Sequence, residues 1–143
     1  MSKQEEANLI LKLYELRRET TMRQARDWFA REFFPESLAD VEQAMMGEHS
    51  GHLRMVASYW EMAAALVNHG AISAELFNET NSEHLFVYSR LEPLLGEMRA
   101  AYGAHYLSNL DKLVAATPGS RERIAAVRER MQRVRAARAA AQK

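Results

Sequence analysis

Five histidines and a few nearby carboxylates are the side chains in this sequence that could hold a metal ion. His49 and His52 are three residues apart with Glu48 beside them, but Gly51 lies between the two histidines and indicates a loop. Carboxylate di-metal bundles place a glutamate three residues before a histidine on two helices, and no glutamate here has that spacing. The sequence also lacks cysteine and a glycine-rich phosphate loop. We therefore predict no metal site, no cofactor and no catalytic residues.

Arginine is concentrated at the end of the sequence, where the pattern predicts a basic helix over residues 121–141. An apolar seam runs along this helix, broken at Arg138, and arginines occupy seven of the sixteen positions outside the seam. The seam is Ile124, Val127, Met131, Val134 and Ala141, and the arginines are Arg121, Arg123, Arg128, Arg130, Arg133, Arg135 and Arg138. Such a helix could dock on the rest of the chain or on a partner subunit, contact nucleic-acid phosphates, or lie on an anionic membrane. The seam lacks the Trp, Phe and Leu that usually enter a membrane interface.

The formal net charge of zero hides two regions of opposite sign. Residues 1–118 carry 11 basic and 17 acidic side chains, whereas residues 119–143 carry 8 basic and 2 acidic ones. The two regions attract each other, within one molecule or between two. We therefore divide the chain into a domain at 1–118 and a basic helix at 119–143, which docks on that domain or on a partner subunit.

Methionine and aromatic residues offer a third kind of site, an apolar pocket for a small ligand. The candidates are Met45, Met46, Met55, Met62, Tyr59, Trp60, Phe77, Phe86 and Tyr88. Residues of these types at helical spacing are also the ordinary contents of a helix-bundle core. The sequence favours the core without excluding the pocket.

The elements that must position these side chains are helices, because no segment alternates with the period of a strand. We predict long helices at 4–33, 52–69, 83–102, 105–116 and 121–141, with shorter ones at 37–46 and 73–79. Gly70 ends a helix, Ser73 caps the next, and Ser120 caps the last. Pro93 falls inside a predicted helix and indicates a kink or a break there. We expect an all-α bundle of about five or six helices, with a long N-terminal helix, a kinked central helix and the basic C-terminal helix.

The length of 143 residues predicts about one domain, and no apolar run is long enough for a membrane span. The first residues are polar and acidic rather than those of a secretory signal, so we expect a cytoplasmic protein. Abundant alanine, with arginine outnumbering lysine, is typical of a GC-rich bacterial genome.

One block of the sequence resembles a widespread bacterial all-helical family filed as a domain of unknown function. The matching features are Tyr59-Trp60-Glu61, Ala64, Leu66-Val67, Gly70, Ile72, Leu76-Phe77, Tyr88, Leu91, Pro93-Leu94 and Arg99. The resemblance covers about residues 50–105, supports the helical fold and implies no activity. It draws attention to Glu61, Pro93 and Arg99. Glu61 and Arg99 are candidates for a structural ion pair between two central helices, and the alternative is that they are two unrelated surface charges.

These observations predict a non-catalytic interaction or scaffold module that forms a homo-oligomer, most simply a homodimer. Two alternatives remain open from sequence. One is nucleic-acid or polyanion binding through the arginines of residues 121–138, and the other is small-ligand binding inside the helical bundle.

Overall fold

The computed structural model describes residues 2–142, which form helices and no strand, and this confirms the predicted all-α class. Its elements are α1 (Lys3–Arg17), α2 (Thr20–Arg31), α3 (Leu38–Met46), α4 (Ser50–Asn68), α5 (Ala74–Thr80), α6 (Glu83–Leu91), a 3-10 turn (Glu92–Leu94), α7 (Leu95–Tyr102), α8 (Ser108–Ala116) and α9 (Ser120–Ala141). The expected five or six helices are too few for these residues, because two predicted long helices are each divided in two.

The N-terminal helix is one of the divided helices, and the expectation of a single long helix is wrong. The chain turns between α1 and α2, where the Glu19 carboxylate caps α2 by accepting from the Met22 backbone N–H at 3.1 Å. Arg26 of α2 also donates to the Arg17 carbonyl at 3.1 Å and so fastens the turn. The turn allows α2 to bury four side chains, whereas α1 buries only Leu13.

Helix α4 is the central element of the core. An apolar stripe at three- and four-residue spacing is buried along it, and its residues are Leu53, Val56, Trp60, Ala64 and Val67. Helices α2, α3 and α8 pack around it, and Trp60 is 1% exposed. One face of α4 stays open to solvent along Arg54, Ser58 and Met62.

The helix boundaries in the middle of the chain lie where the sequence predicts them. Gly70 adopts φ +82°, which favours glycine, and the Ser73 hydroxyl accepts from the Leu76 backbone N–H at 3.1 Å at the start of α5. The break predicted at Pro93 is confirmed, because a 3-10 turn separates α6 from α7. Both features depend on a single local residue type, which is why they could be predicted.

The end of the chain differs in detail from the prediction. Helix α8 begins three residues late, after Leu107 in a left-handed conformation of φ 55°. Ser120 does not cap α9, because its hydroxyl donates to the Val114 carbonyl at 2.7 Å. Helix α9 docks on α6 of the same chain, with Ile124 fully buried between them. Within residues 2–142, no helix combines the length and apolar character that crossing a membrane requires.

Candidate functional site

Glu61, on α4, has a helix end as its partner. Its two carboxylate oxygens accept from the backbone N–H groups of Asn109 at 3.0 Å and Leu110 at 2.8 Å, and from the Asn109 side chain at 3.0 Å. These N–H groups belong to the first turn of α8, which has no carbonyl partner for them within the helix. The positive end of the α8 dipole favours this half-buried carboxylate. Glu61 therefore fixes the start of α8 from 48 residues away.

Arg99, the partner expected for Glu61, contacts other groups. Its Nε donates to the Tyr106 carbonyl at 2.9 Å, and its Nη2 lies 3.9 Å from Asp111 Oδ2. Within residues 2–142, no ion pair of 4.0 Å or less joins Arg99 to Glu61. The expected ion pair is therefore wrong, and each of the two side chains has its own partners. Arg99 holds the connection between α7 and α8, and Glu61 holds the helix that follows it. The positive partner of Glu61 is therefore the N-terminus of α8 and not the Arg99 cation.

An apolar groove lies directly beside Glu61, on the open face of α4. We call it the Met/Tyr groove, and it encloses about 870 Å³. Helix α4 forms its floor, the end of α3 forms one wall, and the chain between α7 and α8 forms the other. The lining residues are Met45, Gly51, Arg54, Met55, Ala57, Ser58, Glu61, Tyr102, His105, Tyr106 and Leu107.

Three large apolar side chains, in the groove lining or next to a lining residue in sequence, are exposed to solvent. Met46 is 83% exposed next to Met45, Met62 is 45% exposed next to Glu61, and Tyr102 is 40% exposed in the wall. Exposed large apolar side chains gathered at one place mark an interaction surface more often than scattered ones do. Methionine side chains adapt to the shape of a partner, which suits them to such a surface.

Tyr106 is a polar residue in the groove lining. Its hydroxyl is buried and has no hydrogen-bond partner among residues 2–142. Burial, and then the neighbouring Tyr102 and Glu61, raise the pKa of Tyr106 to about 12. The phenol therefore keeps its proton at neutral pH and can donate it in a hydrogen bond.

The pocket candidates divide into separate groups in the structure. Trp60, Phe77, Tyr59 and Tyr88 are buried in the core, as the core interpretation of these residues predicted. Met45 and Met55 line the groove, whereas Met46 and Met62 are exposed and are not among its lining residues. Phe86 belongs to a different cavity, between α2, α6 and α9.

Two arginines of α9 bind the carboxylate of Glu92. Arg121 binds both carboxylate oxygens of Glu92 at 2.8 and 2.9 Å, and Arg128 binds the same carboxylate at 2.8 Å and the Ser89 carbonyl at 3.1 Å. The hydrogen bonds from Arg121, followed by those from Arg128, hold the pKa of Glu92 below its ordinary value. This cluster fastens the first half of α9 to the end of α6.

Three further arginines of α9 make weaker contacts within the chain. Arg133 pairs with Glu129 on the same helix at 3.1 Å. Arg135 lies 3.9 Å from Glu36 and 4.5 Å from the centre of the Phe34 ring, and Arg138 reaches the Arg31 carbonyl at 3.5 Å. Arg123 and Arg130 instead line the cavity between α2, α6 and α9.

The histidines do not form a metal site in the described residues. The His49 ring stacks on Trp28 with the ring centroids 5.1 Å apart, and the His52 ring is tilted against Trp28 at 6.1 Å. His52 lies within α4 rather than on a loop. Among residues 2–142, no three His, Asp or Glu side chains are grouped as metal ligands would be.

Sequence reasoning missed Arg90, whose guanidinium closes the end of α2. It donates to the carbonyls of Phe29, Ala30 and Phe33 and lies 4.4 Å from the centre of the Phe34 ring. Burial, and then the charge of Arg135, lower the pKa of Arg90 to about 10. A lone arginine on a predicted helix gives no signal of this role.

Comparison with known protein families gives a match. The model of a domain of unknown function, DUF4760, matches residues 4–117, which is most of the chain. The chain belongs to the DUF4760 family. This agrees with the resemblance to an uncharacterised helical family noted from sequence. The searches of curated proteins and of solved structures found no match.

The matched range places the groove inside the DUF4760 domain. It contains α1 to α8, and therefore Glu61, the Met/Tyr groove and the whole central helix. Helix α9 follows the matched range and packs against it.

Proposed function

We propose that this protein is a non-catalytic interaction module that self-associates, and that the Met/Tyr groove of one copy receives α1 of a second copy. The observation that carries the proposal is the groove, a concave apolar surface of about 870 Å³ on the open face of the central helix. A helix presented to an apolar groove is a common mode of protein recognition, and methionine walls adapt to it.

Helix α1 offers a convex apolar surface that fits this role. Leu11 and Tyr14 lie on its outer side and are 62% and 52% exposed, although both are large apolar residues. The groove floor from Gly51 to Glu61 spans about 15 Å, or three helical turns, which is enough to contact one face of a second helix. Glu15 is exposed beside Tyr14 and would face Arg54 at the edge of the groove.

Self-association can be measured by sedimentation equilibrium over a range of protein concentrations. We expect the wild-type chain to form dimers, and Ser58→Arg in the groove floor to weaken dimerisation at least about tenfold. Tyr14→Arg on α1 should have a similar effect. Ala115→Arg on the exposed side of α8 is the matched control and should leave dimerisation unchanged. A wild-type chain that stays monomeric at every concentration would refute the proposal.

Cross-linking identifies which surfaces meet, because the chain has no cysteine of its own. The variants Ser58→Cys and Tyr14→Cys are prepared separately, mixed, and treated with a short bismaleimide. We expect the mixed cross-link to exceed the cross-links formed within either variant alone. Cross-linking mainly between two Ser58→Cys chains would show that two grooves face each other, and would contradict the assignment of α1.

Nucleic-acid binding through α9 has less support. Five of its seven arginines contact groups of the same chain: Arg121, Arg128, Arg133, Arg135 and Arg138. Duplex DNA added at low salt tests this alternative, because phosphate contacts would give binding that falls steeply as salt is raised.

A further inference from the structure

A second cavity lies between α2, α6 and α9, on a different part of the chain from the Met/Tyr groove. We call it the arginine cleft, and it encloses about 480 Å³. Its floor includes Phe29, Val56, Leu85 and Val87, each no more than 2% exposed. The floor is therefore part of the packed core and keeps its shape without a ligand. A cavity of this volume with an apolar floor suits a small organic molecule.

The contact between α9 and Glu92 shows what paired arginines on this helix can do. Arg121 and Arg128 are seven residues apart, which places them on one side of the helix two turns apart. Both guanidinium groups bind the single carboxylate of Glu92, at distances of 2.8 to 2.9 Å. Two arginines at this spacing on α9 can therefore share one carboxylate.

Arg123 and Arg130 repeat this spacing on the side of α9 that faces the cleft. Both line it, with Ala126 and Val127 between them. Within residues 2–142, neither has an acidic partner at 4.0 Å or less. The carboxylate on the opposite wall is Glu83, which Arg26 already binds at 2.7 and 2.9 Å. The cleft thus presents three guanidinium groups and one neutralised carboxylate.

We propose that the arginine cleft binds a small organic carboxylate, with its headgroup on Arg123 and Arg130 and an apolar body of one or two rings on the floor. The headgroup contact reproduces the contact that Arg121 and Arg128 make with Glu92. Planar guanidinium groups match the two oxygens of a carboxylate. The proposal is independent of self-association through the Met/Tyr groove.

Isothermal titration calorimetry with 1-naphthoate tests the proposal directly. We expect saturable binding with one site per chain. The neutral 1-naphthamide should bind at least about tenfold more weakly, because it lacks the charge, and acetate should bind weakly because it lacks the apolar body. Equal affinity for 1-naphthoate and 1-naphthamide would overturn the assignment of the headgroup to the arginines. Absence of saturable 1-naphthoate binding would overturn the proposal as a whole.

Matched variants locate the site. The double variant Arg123→Gln/Arg130→Gln should lose at least about tenfold in 1-naphthoate affinity. The double variant Arg133→Gln/Arg138→Gln changes the charge of α9 equally but lies outside the cleft, and it should bind as the wild type does. Ala126→Trp keeps every charge and fills the exposed side of the cleft, so it should also abolish binding. Equal losses in the two double variants would show a general charge effect and would refute the site.

Circular dichroism of each variant checks that the total helix content is unchanged. Backbone amide shifts in a ¹H–¹⁵N spectrum give an independent location. They should move at Val87 and Ala126 when 1-naphthoate is added. Shifts confined to Ser58 and Tyr106 would place the ligand in the Met/Tyr groove and contradict the proposal.

Discussion

Lowering the pH from 7 to 5 should destabilise this protein through one buried side chain, His84 of α6. The imidazole is 0% exposed, and neither ring nitrogen has a hydrogen-bond partner among residues 2–142. It packs against the rings of Phe77 at 4.9 Å and Trp60 at 5.9 Å. Burial, and then the charge of Arg123, lower the pKa of His84 from 6.5 to about 4.

The sign of the effect follows from which state binds the proton. In the unfolded chain His84 is protonated below a pH of about 6.5, whereas in the folded chain it stays neutral down to about 4. Between these values the unfolded state binds more protons, so the stability that neutral His84 contributes is complete above the unfolded pKa and is lost as the pH falls. The linkage relation gives a loss of about 2 kcal/mol between pH 7 and pH 5, and about 3 kcal/mol by pH 4.

Urea denaturation at pH 7, 6 and 5 measures this loss, and His84→Phe isolates it. Phenylalanine keeps an aromatic ring against Trp60 and Phe77 but cannot take up a proton. We expect the variant to be at least as stable as the wild type at pH 7, since it removes two buried unsatisfied nitrogens. Its loss of stability between pH 7 and pH 5 should be smaller by about 2 kcal/mol.

A matched variant, His105→Phe, changes an exposed histidine and should keep the wild-type pH dependence. The comparison does not go below pH 5, because carboxylates such as Glu92, whose pKa is lowered in the fold, lose their own contribution to stability as the pH falls further. Parallel pH profiles for the wild type and His84→Phe would refute the reasoning, because they would mean that His84 is protonated equally in both states.

Three further substitutions test other contacts, each by urea denaturation unless stated. Glu61→Ala leaves the first turn of α8 uncapped and should lower the free energy of unfolding by about 1 to 2 kcal/mol. Glu97→Ala, at an exposed position of α7, should change it little. Arg90→Met removes a partly buried cation from the carbonyls that end α2 and should cost about 2 kcal/mol. Glu92→Gln should speed amide hydrogen exchange in the first half of α9 about fivefold, with no change in α2, and equal exchange in variant and wild type would contradict its role.

The features that the sequence predicted well depend on local chemistry. Gly70 ends α4 because its φ of +82° favours glycine, and Ser73 caps α5 through a hydroxyl three residues from its partner. Pro93 divides α6 from α7 because it cannot donate a backbone hydrogen bond. The apolar stripe of α4 was visible because burial on one face leaves a period of 3.6 residues.

The features that the sequence missed depend on contacts between distant residues. No glycine or proline marks the break between α1 and α2, where the cap is a glutamate, Glu19. The partner of Glu61 is a helix end 48 residues away, and that helix starts at a left-handed leucine that no pattern indicates. The Met/Tyr groove exists because α2, α3 and α8 cover the other sides of α4, and coverage by neighbours cannot be predicted from one segment.

The docking of α9 on Glu92 ties the DUF4760 domain to a segment that lies outside the matched range. The DUF4760 match ends at residue 117, before α9 begins. Yet residues inside the match hold α9: a face of α6 buries Ile124, and the Glu92 carboxylate binds Arg121 and Arg128. Without α9, that face of α6 and the Glu92 carboxylate would be exposed unless another segment or another molecule covered them. We therefore expect position 92 to covary with positions 121 and 128 across homologues, as a module inherited together.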